Sequence, residues 1–310
     1  MTTPSSPMRV LITGASGFLG SRVADALLER GDEVVGLSRS PDRARGVNPA
    51  VIWHAWNATA ERPPATAVEG VDAVIHLTGE PIDQRWTEDA KQRIRSSRER
   101  ATKNLIDALS AADPRPRALI SQSAVGYYGD RGDAIVDEST PSGTSFDAAV
   151  CTAWEAAARA GEDVGMRVAI LRTGFPLDAR AGLLKQLLPP FRLGLGGPIA
   201  GGRQYMPWIH VDDWVALTLW TLDGDDRTGT YNATAPNPET NAEFSRTLGR
   251  VLDRPAVMPI PKLAMKLRFG SELGEVVTGG QRAIPRRALD GGFGFTYPEL
   301  EPALRNLLRG

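Results

Sequence analysis

The residues Thr13-Gly14-Ala15-Ser16-Gly17-Phe18-Leu19-Gly20 directly follow the short apolar run Val10-Leu11-Ile12. A buried strand, a glycine-rich turn and a helix start, in that order, form a cradle for a pyrophosphate. Gly14 permits the tight turn, Gly17 lets the backbone approach the phosphates, and Gly20 lets the helix lie against the sheet. The anion meets free N–H groups and the positive end of a helix dipole. Gly14, Ser16, Gly17, Phe18 and Leu19 are therefore the candidate phosphate contacts. A glycine turn that binds nothing is the competing reading. The flanks argue against it: Leu19, Val23, Ala26 and Leu27 recur at helical spacing up to Gly31, and a second strand, Glu33-Val34-Val35-Gly36-Leu37, follows at once.

The end of that second strand bears on which dinucleotide fits. An acidic residue there holds a ribose 2′-hydroxyl, whereas an arginine receives a 2′-phosphate. Here the chain reads Gly36-Leu37-Ser38-Arg39-Ser40, with no carboxylate before Asp42. Arg39 is placed to pair with a phosphate and Ser38 to add a hydrogen bond, so NADP is favoured over NAD. The alternative is that Arg39 is one more surface arginine. Leu77 and Thr78, just past a fourth strand, are expected to pass beneath the cofactor through backbone contacts. Glu80 reads either as a contact to cofactor or substrate, or as the end of the strand.

The elements that must position these residues alternate along the first half. Val51-Ile52-Trp53, Ala73 to Leu77, Ala118 to Ser121 and Val168 to Leu171 read as further strands. Helices are expected at Thr87 to Leu109 and Asp147 to Ala160. This alternation predicts an α/β fold, a Rossmann-type doubly wound parallel sheet. After Arg172 glycine and proline become frequent, as in Leu193-Gly-Leu-Gly-Gly-Pro-Ile-Ala-Gly-Gly202, and helices are expected at Asp213–Leu222, Thr240–Leu252, Lys262–Phe269 and Leu300–Leu308. Residues 8–172 are read as the NADP-binding domain. Residues 173–310 are read as a smaller mixed α+β substrate lobe with elements returning to the sheet, and the ligand cleft is expected between the two.

Bulk properties narrow the function classes. The 310 residues are 42% hydrophobic and 24% charged, with a formal net charge of −1, so neither a nucleic acid nor a membrane surface is an expected partner. A single cysteine, Cys151, excludes an intrachain disulfide and makes a reducing cytoplasm the default compartment. His54, His76 and His210 are far apart and lack cysteines at metal-ligand spacing, so no metal site is expected. Residues 1–7 read as a disordered tail rather than a signal peptide, with Met8 a candidate start. No run of about 18 apolar residues is present to span a membrane.

Several stretches together carry a family resemblance: Gly14–Gly20, His76-Leu77-Thr78-Gly79-Glu80-Pro81, Ser121-Gln-Ser-Ala-Val-Gly-Tyr-Tyr-Gly129, Phe191-Arg-Leu-Gly-Leu-Gly-Gly-Pro198, Trp208-Ile-His-Val-Asp-Asp213, Asn232-Ala-Thr-Ala-Pro-Asn-Pro238 and Gly279-Gly-Gln-Arg282. The chain resembles the atypical extended short-chain dehydrogenase/reductases, the "epimerase family" group similar to nucleoside-diphosphate-sugar epimerases. The resemblance implies a serine after the fifth strand that positions a substrate oxygen, matched by Ser123, and a Tyr-x-x-x-Lys pair on the next helix. Aligned on Trp154-Glu155, the tyrosine position holds Asp147 and the lysine position Cys151, and no lysine lies between Lys103 and Lys185. The usual proton-transfer pair is absent.

Tyr127 and Tyr128 follow Ser123 in the same loop, and one of them could replace the acid, or both could simply pack the cleft wall. Asp147 could act as a base or cap its helix. The resemblance further implies that Arg93 and Arg98 face the cofactor phosphates and that Arg203, with Arg192, holds an anionic substrate group. His210 and Asp212-Asp213 read best as a satisfied imidazole and a helix cap. The resulting expectation is an NADP(H)-binding oxidoreductase or epimerase-like enzyme acting on a small carbonyl or sugar-derived substrate, with Ser123 and Tyr127 assisting and a homodimer possible. The alternative is a non-catalytic NADP(H) sensor. A UDP-sugar epimerase working on NAD is a third reading, opposed by Arg39.

Overall fold

A computed structural model describes residues 7–309. The tail expected over residues 1–7 lies outside them except for Pro7, which is exposed. The first half alternates as expected: β1 (Arg9–Thr13), α1 (Phe18–Arg30), β2 (Glu33–Ser38), α2 (Pro41–Val47), β3 (Ile52–Ala55), α3 (Ala65–Val68), β4 (Ala73–His76), α4 (Glu88–Leu109) and β5 (Ala118–Ala124). Then come α5 (Phe146–Arg159), β6 (Arg167–Thr173), α6 (Gly182–Arg192), α7 (Val211–Asp223), β7 (Gly229–Ala233) and α8 (Asn241–Leu252). The chain closes with α9 (Lys262–Phe269), α10 (Ser271–Thr278), α11 (Arg286–Asp290) and α12 (Leu300–Arg309).

The seven main strands lie in the order β7-β6-β5-β4-β1-β2-β3, and every pairing between them is parallel. The chain therefore enters at β1, builds outward through β2 and β3, then crosses back to β4. Between β1 and β4 the winding reverses, and a crevice opens there beyond the carboxyl ends of the strands. The glycine turn after β1 sits at that point. The strands from Val10 to Ile12 and Ala73 to Ile75 are apolar throughout because both faces are covered. One face packs α1 and α7 residues such as Val23, Leu27, Trp214 and Leu217. The other packs Leu105 and Leu109 of α4 with Ala158 of α5.

Local signals set several boundaries. Gly31 ends α1 in the left-handed region at φ 94°, which glycine adopts without strain. Thr87 caps α4 by accepting the amide of Ala90 at 3.2 Å. Five helices escape the sequence pattern, the short α2, α3 and α11 together with α6 and α10. In α6, Pro189 and Pro190 lie inside the helix and obscure its period. In α10, the chain reverses at Gly270 (φ 88°) and a second helix follows the one expected at Lys262–Phe269. The edge strand β7 comes from the second half of the chain and pairs with β6.

Candidate functional site

Gly14 adopts φ 71°, and a Cβ there would stand 3.2 Å from the carbonyl of Leu77 and 3.3 Å from the amide nitrogen of Thr78. The turn after β1 thus lies against the loop after β4. Gly17 donates to the Gly14 carbonyl at 2.9 Å and begins α1 without a side-chain cap. The first turn of α1 also lacks an acidic residue, so its free amides are left for an anion. Gly20 works differently from the sequence expectation. A Cβ on it would lie 2.2 Å from the Gly14 oxygen, so its bareness seats the helix on the turn itself rather than on the sheet. Ser16 is exposed, while Phe18 and Leu19 are half-buried.

A buried chain of side chains fixes this cradle. Thr13 Oγ1 accepts the amides of Leu77 (3.1 Å) and Thr78 (3.3 Å) and meets His76 Nδ1 at 2.7 Å. His76 Nε2 meets Thr102 Oγ1 at 2.9 Å, and the Thr102 hydroxyl donates to the Arg98 carbonyl at 2.6 Å. Because the Thr102 proton is committed, Nε2 must donate and Nδ1 must accept from Thr13. Burial pushes the imidazole down to about 3, so it stays neutral.

At the far end of β2, Arg39 is exposed, and the Ser38 hydroxyl accepts the Ser40 amide at 3.1 Å. The nearest following carboxylate, Asp42, is drawn to Arg45 at 2.9 Å. Glu80 turns back onto α4: its amide donates to Ser97 Oγ, and its carboxylate lies 3.6 Å from Arg93. Arg98 donates to the carbonyls of Glu80 and Ile94, lies beneath Gly79, and stacks its guanidinium 5.0 Å from the Trp154 ring. Arg93 and Arg98 thus brace the loop after β4, a role that the sequence reading missed. Arg192 and Arg203 are both exposed. His210 caps α7 by accepting the Asp212 amide at 3.0 Å and meets Asn306 at 3.1 Å, while Asp213 accepts the amides of Thr296 and Tyr297.

Ser123 departs from its expected role as a substrate-positioning hydroxyl. It is 1% exposed, and its one proton is donated to Glu155 at 2.8 Å. Arg172 grips the same carboxylate at 2.8 and 2.9 Å and donates to the Tyr128 hydroxyl, which donates to Asn232 at 2.7 Å. The reason is charge. A buried carboxylate and guanidinium stay ionised only with their bonds filled, and Ser123 fills one of them. Tyr127 lays its ring over the same guanidinium at 3.3 Å and packs with Val125 and Tyr128. Burial pushes Cys151 up to about 12, so it offers no thiolate. Asp147 stands in the first turn of α5, with its Oδ1 buried and with Ser145 and the first-turn amides at its carboxylate. Burial raises its carboxyl above the usual range, partly opposed by Ser145 and the first-turn amides.

The parallel sheet with a glycine turn and an uncapped helix at its switch point defines a Rossmann-type α/β protein. The chain belongs to the NAD dependent epimerase/dehydratase family, whose model matches residues 10–234. A second model, Domain of unknown function (DUF1731), matches residues 260–307. The chain is 39% identical over 307 residues to the Epimerase family protein SDR39U1 homolog, chloroplastic, of Arabidopsis thaliana, covering 98% of this chain and 88% of that protein. It is 36% identical to the Epimerase family protein SDR39U1 of Homo sapiens, over 97% of this chain and 100% of that protein. The crystal structure of human epimerase family protein SDR39U1 (isoform2) with NADPH superposes with a TM-score of 0.89 at 35% identity, covering 98% and 100% of the two chains. Among the described residues no helix is long and apolar enough to cross a membrane.

Proposed function

We propose that this chain binds NADP(H) across the β1–β4 crevice and acts as an oxidoreductase or epimerase-like enzyme on a small carbonyl or sugar-derived compound. The free amides of α1 and the bare turn at Gly14, Ser16 and Gly17 would hold the pyrophosphate, with Phe18 and Leu19 supplying amides. Arg39 and Ser38 would receive the 2′-phosphate. Leu77 and Thr78, locked by Thr13, would offer their backbone, and Glu80 and Arg98 would hold that loop in place. The dinucleotide supplies the hydride donor or acceptor when bound.

The single observation that carries this reading is an exposed arginine at the end of β2, with the following carboxylate turned away to Arg45. The human relative solved with NADPH supports it. NADPH is expected to bind at least about tenfold more tightly than NADH, a gap of about 1.4 kcal/mol, and Arg39→Ala is expected to close it. Fluorescence titration measures both. Equal affinities, or a ratio unmoved by the substitution, would reject NADP as the cofactor.

A non-catalytic cofactor sensor is favoured by one feature, namely Asp147 and Cys151 standing where the resemblance calls for tyrosine and lysine. Oxidation of bound NADPH by any compound of a carbonyl and nucleotide-sugar panel, faster than in buffer, decides for the enzyme.

A further inference from the structure

Helices α9 and α10 stand outside the packed body of the molecule. Among the described residues none of α9 is buried, and α10 buries only Leu273 and Gly274. No apolar residue of either helix joins any of the four hydrophobic cores, and Leu263 and Leu267 of α9 are exposed. At eight residues each, neither helix is long enough to persist alone, so each depends on the other. The chain reverses at Gly270 (φ 88°), and a Cβ on Gly274 would stand 2.9 Å from Lys266 Cα, a closeness that only glycine allows. Lys266 also pairs with Glu275 at 3.0 Å. The two helices form one stiff unit.

Among the described residues two polar ties join the middle of this unit to the body. Arg85, in the loop after β4, donates to the Leu267 carbonyl at 3.0 Å, and Lys91, near the start of α4, pairs with Glu272 at 2.7 Å. Elsewhere the join is hollow. An open space of about 290 Å³ lies between Lys262, Glu275 and Thr278 on one side and the Gly129–Asp130 loop and the start of α5 on the other. The two ends of the unit, by contrast, are anchored. Ile260 donates to the Pro198 carbonyl at 2.9 Å and accepts the Ala200 amide at 2.8 Å, and the Gly280 amide donates to Asp130 at 3.2 Å.

Place in the fold gives these weak ties a consequence. Arg85 and Lys91 follow β4, and the Gly129 loop and α5 follow β5, so the unit stands over the carboxyl ends of those strands, beside the crevice. A segment with few buried apolar contacts opens at far lower cost than the whole fold, and exposed ion pairs break and re-form readily. The ties also communicate with the loop at Leu77 and Thr78. Gln84 donates to Glu80 at 3.2 Å and accepts from Arg93 at 3.2 Å, so the segment from Glu80 to Arg93 that carries both ties is laced together.

We propose that α9 and α10 form a lid beside the β4–β5 end of the crevice, latched by Lys91 on Glu272 and by Arg85 on Leu267. It swings on its anchored ends at Ile260 and Gly280 to admit substrate, and closes to exclude water. This deepens the cofactor reading above and rests on it. A dinucleotide that orders the loop after β4 also orders the residues that hold the latch, so cofactor and closed lid favour each other.

Hydrogen exchange read by mass spectrometry on the full chain tests the lid without a known substrate. In the cofactor-free protein, amides of residues 262–278 are expected to exchange at least about tenfold faster than those of β1, β4 and β5, through openings that leave the sheet protected. Saturating NADPH is expected to slow the lid amides at least about twofold. The double variant Arg85→Met, Glu272→Gln is expected to speed them at least about twofold in the cofactor-free protein, with protection of the sheet unchanged, which also shows that the variant is folded. The proposal is overturned if the lid amides are protected to within about tenfold of the sheet, or if either NADPH or the double variant changes their exchange by less than about twofold. Failure of NADPH to bind, seen in a separate titration, would instead strike the cofactor reading, while the cofactor-free comparisons still decide whether the latch governs opening.

Discussion

At the scale of single residues, the buried group around Glu155 decides what Ser123 does. The carboxylate takes two bonds from Arg172 and one from Ser123, and Arg172 also supports Tyr128. Removing the hydroxyl leaves a buried carboxylate oxygen with one donor fewer, at a cost of about 1–3 kcal/mol. Ser123→Ala is therefore expected to lower the urea midpoint while changing NADPH affinity by less than about twofold. A large loss of turnover with unchanged stability would restore the catalytic role. Asp147, in the position where the resemblance calls for tyrosine, sits in the first turn of α5 with Ser145 and the first-turn amides at its carboxylate.

At the scale of elements, the join between β1 and α1 depends on close approach. Helix propensity alone makes Gly20→Ala stabilising by up to about 1 kcal/mol. Sterics oppose it, because the new methyl would stand 2.2 Å from a backbone oxygen and 2.8 Å from Ala15 Cα. Backbone cannot rotate away as a flexible side chain can, so overpacking wins, typically by about 1–3 kcal/mol. Gly20→Ala is expected to lower stability and weaken NADPH at least about tenfold, since the helix start must shift off the turn. Gly46 in α2, with nothing within 4 Å of its missing Cβ, provides the control. Gly46→Ala is expected to stabilise the chain by about 0.5–1 kcal/mol, leaving cofactor affinity alone. Thermal melts and titrations of the two variants compare the effects directly.

At the scale of the whole molecule, His76 ties β1, β4 and α4 together and couples the fold to pH. Its imidazole is held neutral with its pKa near 3, against 6.5 when unburied. The unfolded chain therefore binds the extra proton first. The stability contribution is complete above pH 6.5 and is lost as pH falls from there toward 3, at about 1.4 kcal/mol per pH unit. Glu239, raised to about 7 by burial and by Glu243, titrates in the same window with the opposite sign, so the His76 contribution is read as a difference. Between pH 6.5 and 5 the slope of unfolding free energy in His76→Gln is expected to differ from that of the unaltered chain by about 1.4 kcal/mol per pH unit; identical slopes would show that His76 does not couple the fold to pH. The sequence by itself determined the parallel sheet, the glycine cradle at the β1–α1 turn, the arginine at the end of β2, and helix limits such as Thr87 and Gly31. Each of these is written in neighbouring residues, where apolar runs, glycine spacing and capping types act over one or two turns of chain. Only the tertiary structure decided that Ser123 is spent on Glu155, that Arg98 braces the loop at Gly79, and that a cavity opens between the start of α5 and the α9–α10 pair. That cavity joins segments as remote as Gly129 and Gln281, 152 positions apart. Which polar atoms are filled and which are left open depends on the partners that distant packing supplies, and no local pattern encodes them.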